Sequence, residues 1–91
     1  MDSALTSGER LGVPERVILA PASGRFRLLA AEEAPPDAGD HVAEEQVIGF
    51  VDGGGQSTPV RSPFRGFLMG LMAHAGERVR EGQPVAWLTT V

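Results

Sequence analysis

The sequence predicts an all-β fold, a flattened sandwich or barrel of two quasi-symmetric four-stranded halves. Short apolar runs alternate with turn residues, roughly every 8–12 positions, as in sandwiches and barrels. No window keeps a long 3.6-residue period, so a helical core is not indicated. Finally, one half of the sequence repeats in the other, which predicts an internal two-fold relationship.

The internal repeat is the strongest of these observations. Residues 38–51 align without a gap with residues 75–88, and matched positions share Ala, Gly, Val, Glu and Gln or residues of the same kind. Upstream, APASG at residues 20–24 aligns with SPFRG at residues 62–66. The first copy carries five extra residues between its two turns, 24 to 38 against 66 to 75. Order, spacing and chemistry agree in both copies.

The strands are predicted from alternation and composition. In residues 25–30, Phe26, Leu28 and Ala30 fall on one face and two arginines on the other. Residues 47–51 and 85–89 are short runs rich in β-branched and aromatic residues. The Ala-Gly-acid triplets between strands are typical of turns in which glycine supplies a positive φ.

The two copies should be joined by a tight hairpin beginning at Asp52-Gly53, within the run DGGGQ. Residues 1–14 show no usable pattern and are predicted to form a flexible N-terminal leader. Residues 15–91 then form one domain, since 91 residues suffice for one modest core.

Composition excludes several functions. The net charge is −4, and seven carboxylates but no lysine or arginine lie between Arg27 and Arg61, which argues against nucleic acid or an anionic membrane as partner. No apolar run is long enough to span a membrane, and we expect a cytoplasmic protein. There is no cysteine, so thiolate chemistry is excluded. There is also no lysine, so no side-chain amine can carry a covalent group.

The ordered motifs resemble the biotinyl/lipoyl carrier domain over about residues 16–90. These motifs are Pro-x-x-Gly, Gly-Asp-x-Val-x-x-x-Gln, a tight hairpin, Ser-Pro-x-x-Gly and Gly-Glu-x-Val-x-x-Gly-Gln-Pro-Val. In that family the hairpin carries a lysine, usually within Ala-Met-Lys-Met, that receives biotin or lipoate. The lysine stands eleven positions before the second Pro-x-x-Gly glycine, which here is Gly66 and places Gly55 at the family's lysine position.

The five-residue insertion makes the biotin carboxyl carrier protein of acetyl-CoA carboxylase the more similar branch. In that protein a comparable Gly-x-Phe segment leads into a protruding loop called the thumb. Here the acidic, proline-containing residues 31–40 resemble it. The resemblance implies a carrier fold, but Gly55 cannot form the amide, so no covalent biotin or lipoate is expected and carboxyl transfer carries over to no residue.

The candidate site residues fall into two groups. The hairpin tip comprises Asp52, Gly53, Gly54, Gly55 and Gln56, and it is either a permissive turn or a tip kept free of side chains for a close approach. The candidate ligand or partner contacts follow it in sequence: Arg61, Phe64, Arg65, Phe67 and Met69.

Each candidate contact has a structural and a functional interpretation. The two arginines are either solvated or a grip for a carboxylate or phosphate. The apolar residues 67–72 are either buried on both faces or form an exposed patch for a partner or a second copy. His41 and His74 fit no metal spacing, and no catalytic or metal-ligating residue is predicted.

The leading hypothesis is a non-biotinylated, carrier-like interaction or structural subunit of an acyl-CoA carboxylase or a polyketide or fatty-acid type assembly. The alternative is a small enzyme or ligand-binding protein that reuses the sandwich, with a groove between the acidic insertion and the glycine tip. The third hypothesis is a carrier that holds its cofactor non-covalently. A homo-oligomer is compatible with each of them.

Overall fold

Two four-stranded antiparallel sheets pack as a sandwich in the computed structural model, which describes residues 15–33 and 35–90. This confirms the predicted all-β class. The eight strands, numbered in chain order, are β1 Glu15–Leu19, β2 Gly24–Leu28, β3 His41–Val42, β4 Val47–Gly53, β5 Gln56–Arg61, β6 Gly66–Leu71, β7 Arg78–Val79 and β8 Pro84–Thr90. The predicted leader, residues 1–14, lies outside the described residues.

The strand order shows the two-fold relationship that the repeat predicts. Sheet A has the order β1-β8-β6-β3, and sheet B has the order β5-β4-β2-β7. Strands related by the repeat are four apart in chain order, so β1 corresponds to β5, β2 to β6, β3 to β7 and β4 to β8. Exchanging every strand of sheet A for its counterpart gives the order of sheet B. Each sheet therefore takes two strands from each half, so neither half can bury its apolar face without the other.

The core is the layer between the sheets, built mainly from aliphatic side chains. Phe26 is its largest member and is 1% exposed. The buried hydrophobic residues are Ile18, Ala20, Phe26, Val42, Ile48, Val51, Val60, Leu68, Ala73, Val79, Val85, Ala86 and Leu88. In the described part of the chain no helix is long and apolar enough to cross a membrane. Nor do three or more His, Cys, Asp or Glu side chains group there as metal ligands.

The repeated glutamines cap the same turn in the two halves. The Gln46 side chain accepts a 2.9 Å hydrogen bond from the Ala43 N–H, and the Gln83 side chain accepts one of 3.0 Å from the Arg80 N–H. The repeated acidic residues Asp40 and Glu77 cap the preceding turns in the same way. These identities across the repeat thus satisfy backbone donors in loops, a structural role.

The second strand is shorter than predicted. It ends at Leu28, so Ala30 lies outside the sheet and is exposed instead of sharing a face with Phe26. The Ala30 N–H donates to Glu33 Oε1 at 3.0 Å, and the Glu33 N–H donates to the Ala30 carbonyl at 2.8 Å. This local pairing starts the 3₁₀ turn Ala31–Glu33, where the acidic insertion begins.

Glu45 has the same backbone conformation as the glycine that replaces it in the second half. Its φ is 72°, against 87° at Gly82. The Glu45 N–H donates to the Ser62 carbonyl and the Gly82 N–H to the Ala20 carbonyl, so both turns dock alike. The two turns therefore have the same shape although the first carries a side chain, and that side chain is held in the left-handed region.

We expect Glu45→Gly to raise the free energy of unfolding. Relief of left-handed strain should contribute about 1–2 kcal/mol, and the greater freedom of glycine in the unfolded chain should offset about 0.4–1 kcal/mol. A net gain of about 0.5–1 kcal/mol should appear in urea unfolding as a higher midpoint at an unchanged slope. The reciprocal change, Gly82→Glu, should destabilise by a similar amount; a neutral or stabilising result there would contradict this account.

Candidate functional site

The glycine tip is a two-residue hairpin loop. Gly53 pairs with Gln56, so Gly54 and Gly55 alone form the loop, at the centre of the predicted tip. Their φ angles are 59° and 78°, and positive values at both positions are what a type I′ turn requires. A Cβ at either position would meet no atom within 4 Å, so both point into open space.

Gly53 is needed for a different reason. A Cβ there would lie 2.7 Å from the Ser23 carbonyl oxygen and 3.2 Å from the Gly24 Cα. The backbone of the loop between β1 and β2 thus packs directly against the base of the hairpin. The three consecutive glycines are therefore structurally constrained, two by dihedral angle and one by close approach, and the tip is no indifferent turn.

A polar cluster on the outer face of sheet B holds the base of the hairpin. Arg27 donates to both carboxylate oxygens of Asp52, Nε to Oδ2 at 2.7 Å and Nη2 to Oδ1 at 3.3 Å. Ser57 Oγ donates to Asp52 Oδ1 at 2.5 Å. The Arg27 guanidinium also lies over the Phe50 ring, 4.5 Å from its centroid. Three adjacent strands, β2, β4 and β5, are thereby linked beside the tip.

The electrostatics of this cluster fit a fixed ion pair. The hydrogen bond from Arg27, followed by that from Ser57, lowers the pKa of Asp52 below its ordinary value. The hydrogen bond to Asp52 raises the pKa of Arg27, and Glu33 of the insertion adds to that rise. Asp52 is therefore a weak base that is already occupied, and Ser57 gains no activation as a nucleophile. The arrangement suits positioning and recognition better than acid–base catalysis.

The ion pair predicts a specific acid sensitivity. A carboxyl group whose folded pKa is depressed adds stability above its unfolded pKa, about 3.9 for aspartate, and loses it as the pH falls through the folded value. We expect wild type to exceed Asp52→Asn in unfolding midpoint at pH 6–7, with the gap closing as the pH falls below about 4. Thermal unfolding of the two proteins across this range measures it. A gap that stays constant down to pH 2 would contradict an ionised Asp52 as its source.

Three of the predicted contacts lie at the other end of the hairpin from its tip. Arg61 ends β5, five residues or about 17 Å along the strand from Gln56. Its Nη1 donates to the Glu45 carbonyl at 3.1 Å. Phe64 packs against the core and lies 5.7 Å from the Arg16 guanidinium, while Arg65 is exposed in the same connection. Arg61 thus supports a turn, and the structure does not bring these residues to the glycine tip.

Phe67 and Met69 lie on the outer face of sheet A. Their side chains are 42% and 43% exposed. Other apolar side chains on this sheet and at its end are also exposed: Val17, Leu19, Leu71 and Met72. Of the two interpretations of residues 67–72, burial on both faces is therefore wrong. The exposed patch is present, with Leu68 alone of the large side chains pointing into the core.

The region between the insertion and the tip is lined by other polar groups than the arginines predicted as contacts. Arg27 and Asp52 lie in this region, with Glu33 near enough to act on Arg27, while Arg61 and Arg65 are elsewhere. His74 begins a turn in which its N–H donates to Glu77 Oε1 at 2.8 Å. Two shallow depressions open elsewhere on the surface: one beside Trp87, Met72 and Val17, the other beside Ser23 and Arg78.

Sequence reasoning missed the Arg27–Asp52 pair. It placed Arg27 only on the polar face of its strand and Asp52 only at the hairpin. In the observed register Arg25 stands opposite Asp52 and Arg27 opposite Phe50, so the pair is a diagonal contact across strands. An arginine on the polar face of one predicted strand and an aspartate at the start of the hairpin were the available signal, but only the register shows that they meet.

Neither the family models nor the curated proteins compared with this sequence contain a match. Among solved structures, the urea carboxylase of Kluyveromyces lactis matches 82% of this chain with a TM-score of 0.68 and 20% sequence identity. The chain folds like part of a carboxylase. It spans only 6% of that protein's length, so the similarity shows the fold alone.

The tip does not fit a covalently held biotin or lipoate. An amide-linked group needs a lysine amine, and the described tip offers glycine at its apex, while the whole sequence has no lysine. The crowding of Gly53 by Ser23 adds a second mismatch, because the alanine of the Ala-Met-Lys-Met pattern would require the backbone to shift there. No step of carrier chemistry can therefore be assigned to these residues.

Proposed function

We propose that this protein is a non-biotinylated, carrier-like interaction subunit of an acyl-CoA carboxylase or a related polyketide or fatty-acid type assembly. The observation that carries the proposal is the combination of an intact two-half sandwich with a hairpin apex that bears no side chain. The fold is retained, and the one group that carrier chemistry needs is missing.

The geometry of the hairpin favours a recognition role. Its apex projects bare backbone into solvent, and its base is tied to the neighbouring strand by Arg27 and Asp52. A partner that accommodates a carrier hairpin could therefore receive this one without a prosthetic group. Preorganised backbone reduces the ordering cost of binding, which is how such a tip would contribute affinity. The fold similarity to part of a carboxylase supports this class of partner without identifying it.

The first test asks whether the tip still works as an acceptor. We expect wild type co-expressed with a biotin ligase to show no biotin mass increment, and Gly55→Lys to be modified poorly at best. A lysine there is sterically free but sits at a φ of 78° without the flanking alanine and methionines. An authentic biotinylated domain serves as the positive control for intact-mass measurement. Any increment on wild type would contradict the proposal, and stoichiometric biotinylation of Gly55→Lys would contradict the expectation that the tip is a poor acceptor.

The second test asks for the partner and uses a matched pair of variants. The tagged full chain is purified from its native host after cross-linking, and a carboxylase or synthase subunit should be enriched. Gly55→Lys, which places a long cation on the apex, should reduce that enrichment at least tenfold. Gly76→Lys is the control, since its φ of 84° and open surroundings impose the same strain and charge elsewhere. Equal enrichment with both variants would exclude the tip as the contact.

A further inference from the structure

The two outer faces of the sandwich differ sharply although the two halves are related by symmetry. On sheet B, Arg25, Arg27 and Asp52 point outward, as their cross-strand pairing shows. At the equivalent positions of sheet A stand Phe67, Met69 and Thr89. The same framework thus carries a charged surface on one side and an apolar one on the other. The outward residues of sheet A are called the apolar face below: Val17, Leu19, Phe67, Met69 and Trp87, with Glu15, Thr89 and His41 in the row at one end.

The apolar face is ordered in two rows across the strands. Cross-strand pairs place Glu15, Thr89, Phe67 and His41 in one row, from the β1 edge to the β3 edge. The His41 and Phe67 rings are in edge contact, 5.5 Å between centroids. This row therefore begins with a carboxylate acceptor at one edge and ends with an imidazole donor at the other.

The second row is centred on the single tryptophan. Val17 and Gly70 flank Trp87 on the neighbouring strands. A Cβ on Gly70 would lie 3.4 Å from the indole Nε1, so the indole leans from β8 towards β6 and lies near the middle of the sheet. The centre of the apolar face is thus a half-buried aromatic ring surrounded by exposed aliphatic side chains.

We infer that the apolar face packs against the same face of a second copy of this chain, about a two-fold axis that runs parallel to the strands between β8 and β6. That axis exchanges β1 with β3 and β8 with β6. It brings Glu15 of one copy opposite His41 of the other, at both ends of the row, and places the two Trp87 indoles side by side at the centre. Aligned sheets pack face to face with strands within about 30°, which this axis allows.

Self-pairing is favoured by the distribution of charge as well as by the rows. The arginines of sheet B are replaced here by apolar residues, so two copies of this face meet without like charges opposed in the interior. At each end of the first row, Glu15 of one copy faces the His41 imidazole of the other, and the two Glu15 carboxylates do not face each other. An isologous interface needs this kind of self-complementarity.

The size of the face predicts a weak dimer. Its four strands have five, seven, six and two residues, so at about 3.4 Å per residue and 4.8 Å between strands the face covers roughly 330 Å². The largest apolar patch on a typical monomer measures about 300–600 Å² and is often functional, and this face has less than half of the roughly 800 Å² that each partner buries in a standard interface. We therefore expect a weak, transient dimer, and the range of dissociation constants to test is about 10 μM to 1 mM.

Sedimentation equilibrium of the full chain across this range tests the inference, and the chain supplies matched variants. Phe67→Arg and Met69→Arg introduce the residue type that the equivalent strand β2 already carries at these positions, so the fold should tolerate them. Each should raise the dimer dissociation constant at least tenfold. Arg25→Ala, at the equivalent position on sheet B, should leave it unchanged. Trp87 emission should shift to shorter wavelength as the concentration rises, in wild type but not in Phe67→Arg.

The arrangement itself is tested by cross-linking, since the sequence has no native cysteine. Glu15→Cys and His41→Cys proteins, mixed in equal amounts, should be joined by a bis-maleimide that spans the ~10 Å between packed sheets. Glu15→Cys alone should not, because the two copies of that residue would be about 17 Å apart, three strand spacings sideways and one sheet spacing across.

Each contrary result would overturn the inference. A dimer that ignores Phe67→Arg and Met69→Arg would lie on another surface, and cross-linking of Glu15→Cys with itself would exclude this axis. A full chain that stays monomeric to 1 mM excludes a second copy as the occupant. In that case acrylamide quenching of Trp87 tells whether the face is covered: protection from quenching would point to cover by another segment of the chain, and free quenching would show a face left open in the isolated protein.

Discussion

Gly66→Ala is expected to cost about 3 kcal/mol or more and to leave the protein largely unfolded at 37 °C. A Cβ at Gly66 would lie 2.0 Å from the Thr89 carbonyl oxygen, 2.8 Å from its carbon and 3.0 Å from Leu88 Cδ1. Two of these three atoms belong to the backbone of the central strand β8, so no side chain can rotate away. The sheet itself would have to move, and displacements of this kind are among the few causes of very large single-residue effects.

The equivalent glycine of the first half should behave in the same way. A Cβ at Gly24 would lie 2.3 Å from the Asp52 carbonyl oxygen and 2.8 Å from its carbon. Both glycines close a Pro-x-x-Gly turn, so the repeated glycine marks a point where a strand starts in contact with the backbone of its neighbour.

Gly76→Ala is the control that separates crowding from backbone strain. Gly76 has a φ of 84° but nothing within 4 Å of a Cβ, so alanine there should cost only about 1–2 kcal/mol from the left-handed conformation. Urea unfolding of the three variants, followed by far-ultraviolet circular dichroism, gives the comparison. If Gly66→Ala and Gly76→Ala were equally stable, crowding against β8 would not be the reason for the glycine.

Much of the fold follows from the repeat in the sequence. Two matched copies with turn signals at the same positions predict a two-fold all-β arrangement, and the strand order agrees. Prediction was less accurate where a local hydrogen bond competes with strand pairing. Residues 25–30 alternate as a strand would, but the Glu33 side chain captures the Ala30 N–H and ends β2 two residues early. Such side-chain to backbone bonds compete with strand pairing and are hard to weigh from sequence.

The candidate site was only partly predictable. The position of the glycine tip follows from counting along the chain, because hairpins are local. The Arg27–Asp52 pair and the apolar face depend on register and on which side of a sheet faces solvent. Residues 67–72 are apolar throughout, and such a run looks the same whether one face is buried or both. Only the contrast with β2, which carries arginines at the matching positions, hints that this side of the strand faces outward.

Among the substitutions of buried side chains, Phe26→Ala should have the largest effect. Phe26 is the largest fully buried side chain and 1% exposed, and its ring edge lies against Gly49, whose Cβ would be 3.1 Å from Phe26 Cε1. Removing it should leave a cavity between the sheets that the adjoining backbone cannot fill, and such losses cost about 3–5 kcal/mol. Domains of this size have only about 5–10 kcal/mol in total, so at least a third of the stability should be lost.

Phe67→Ala is the matched control, because it makes the same chemical change on the outer face of sheet A instead of between the sheets. Its side chain is 42% exposed and contacts His41 rather than the core, so we expect a loss of about 1 kcal/mol or less. Both variants should be unfolded in urea at a few micromolar, well below the concentration at which the apolar face would associate. A ratio of the two effects near one would mean that the interior between the sheets is not packed as described. A ratio of three or more would show that burial between the sheets, and not ring size, sets the cost.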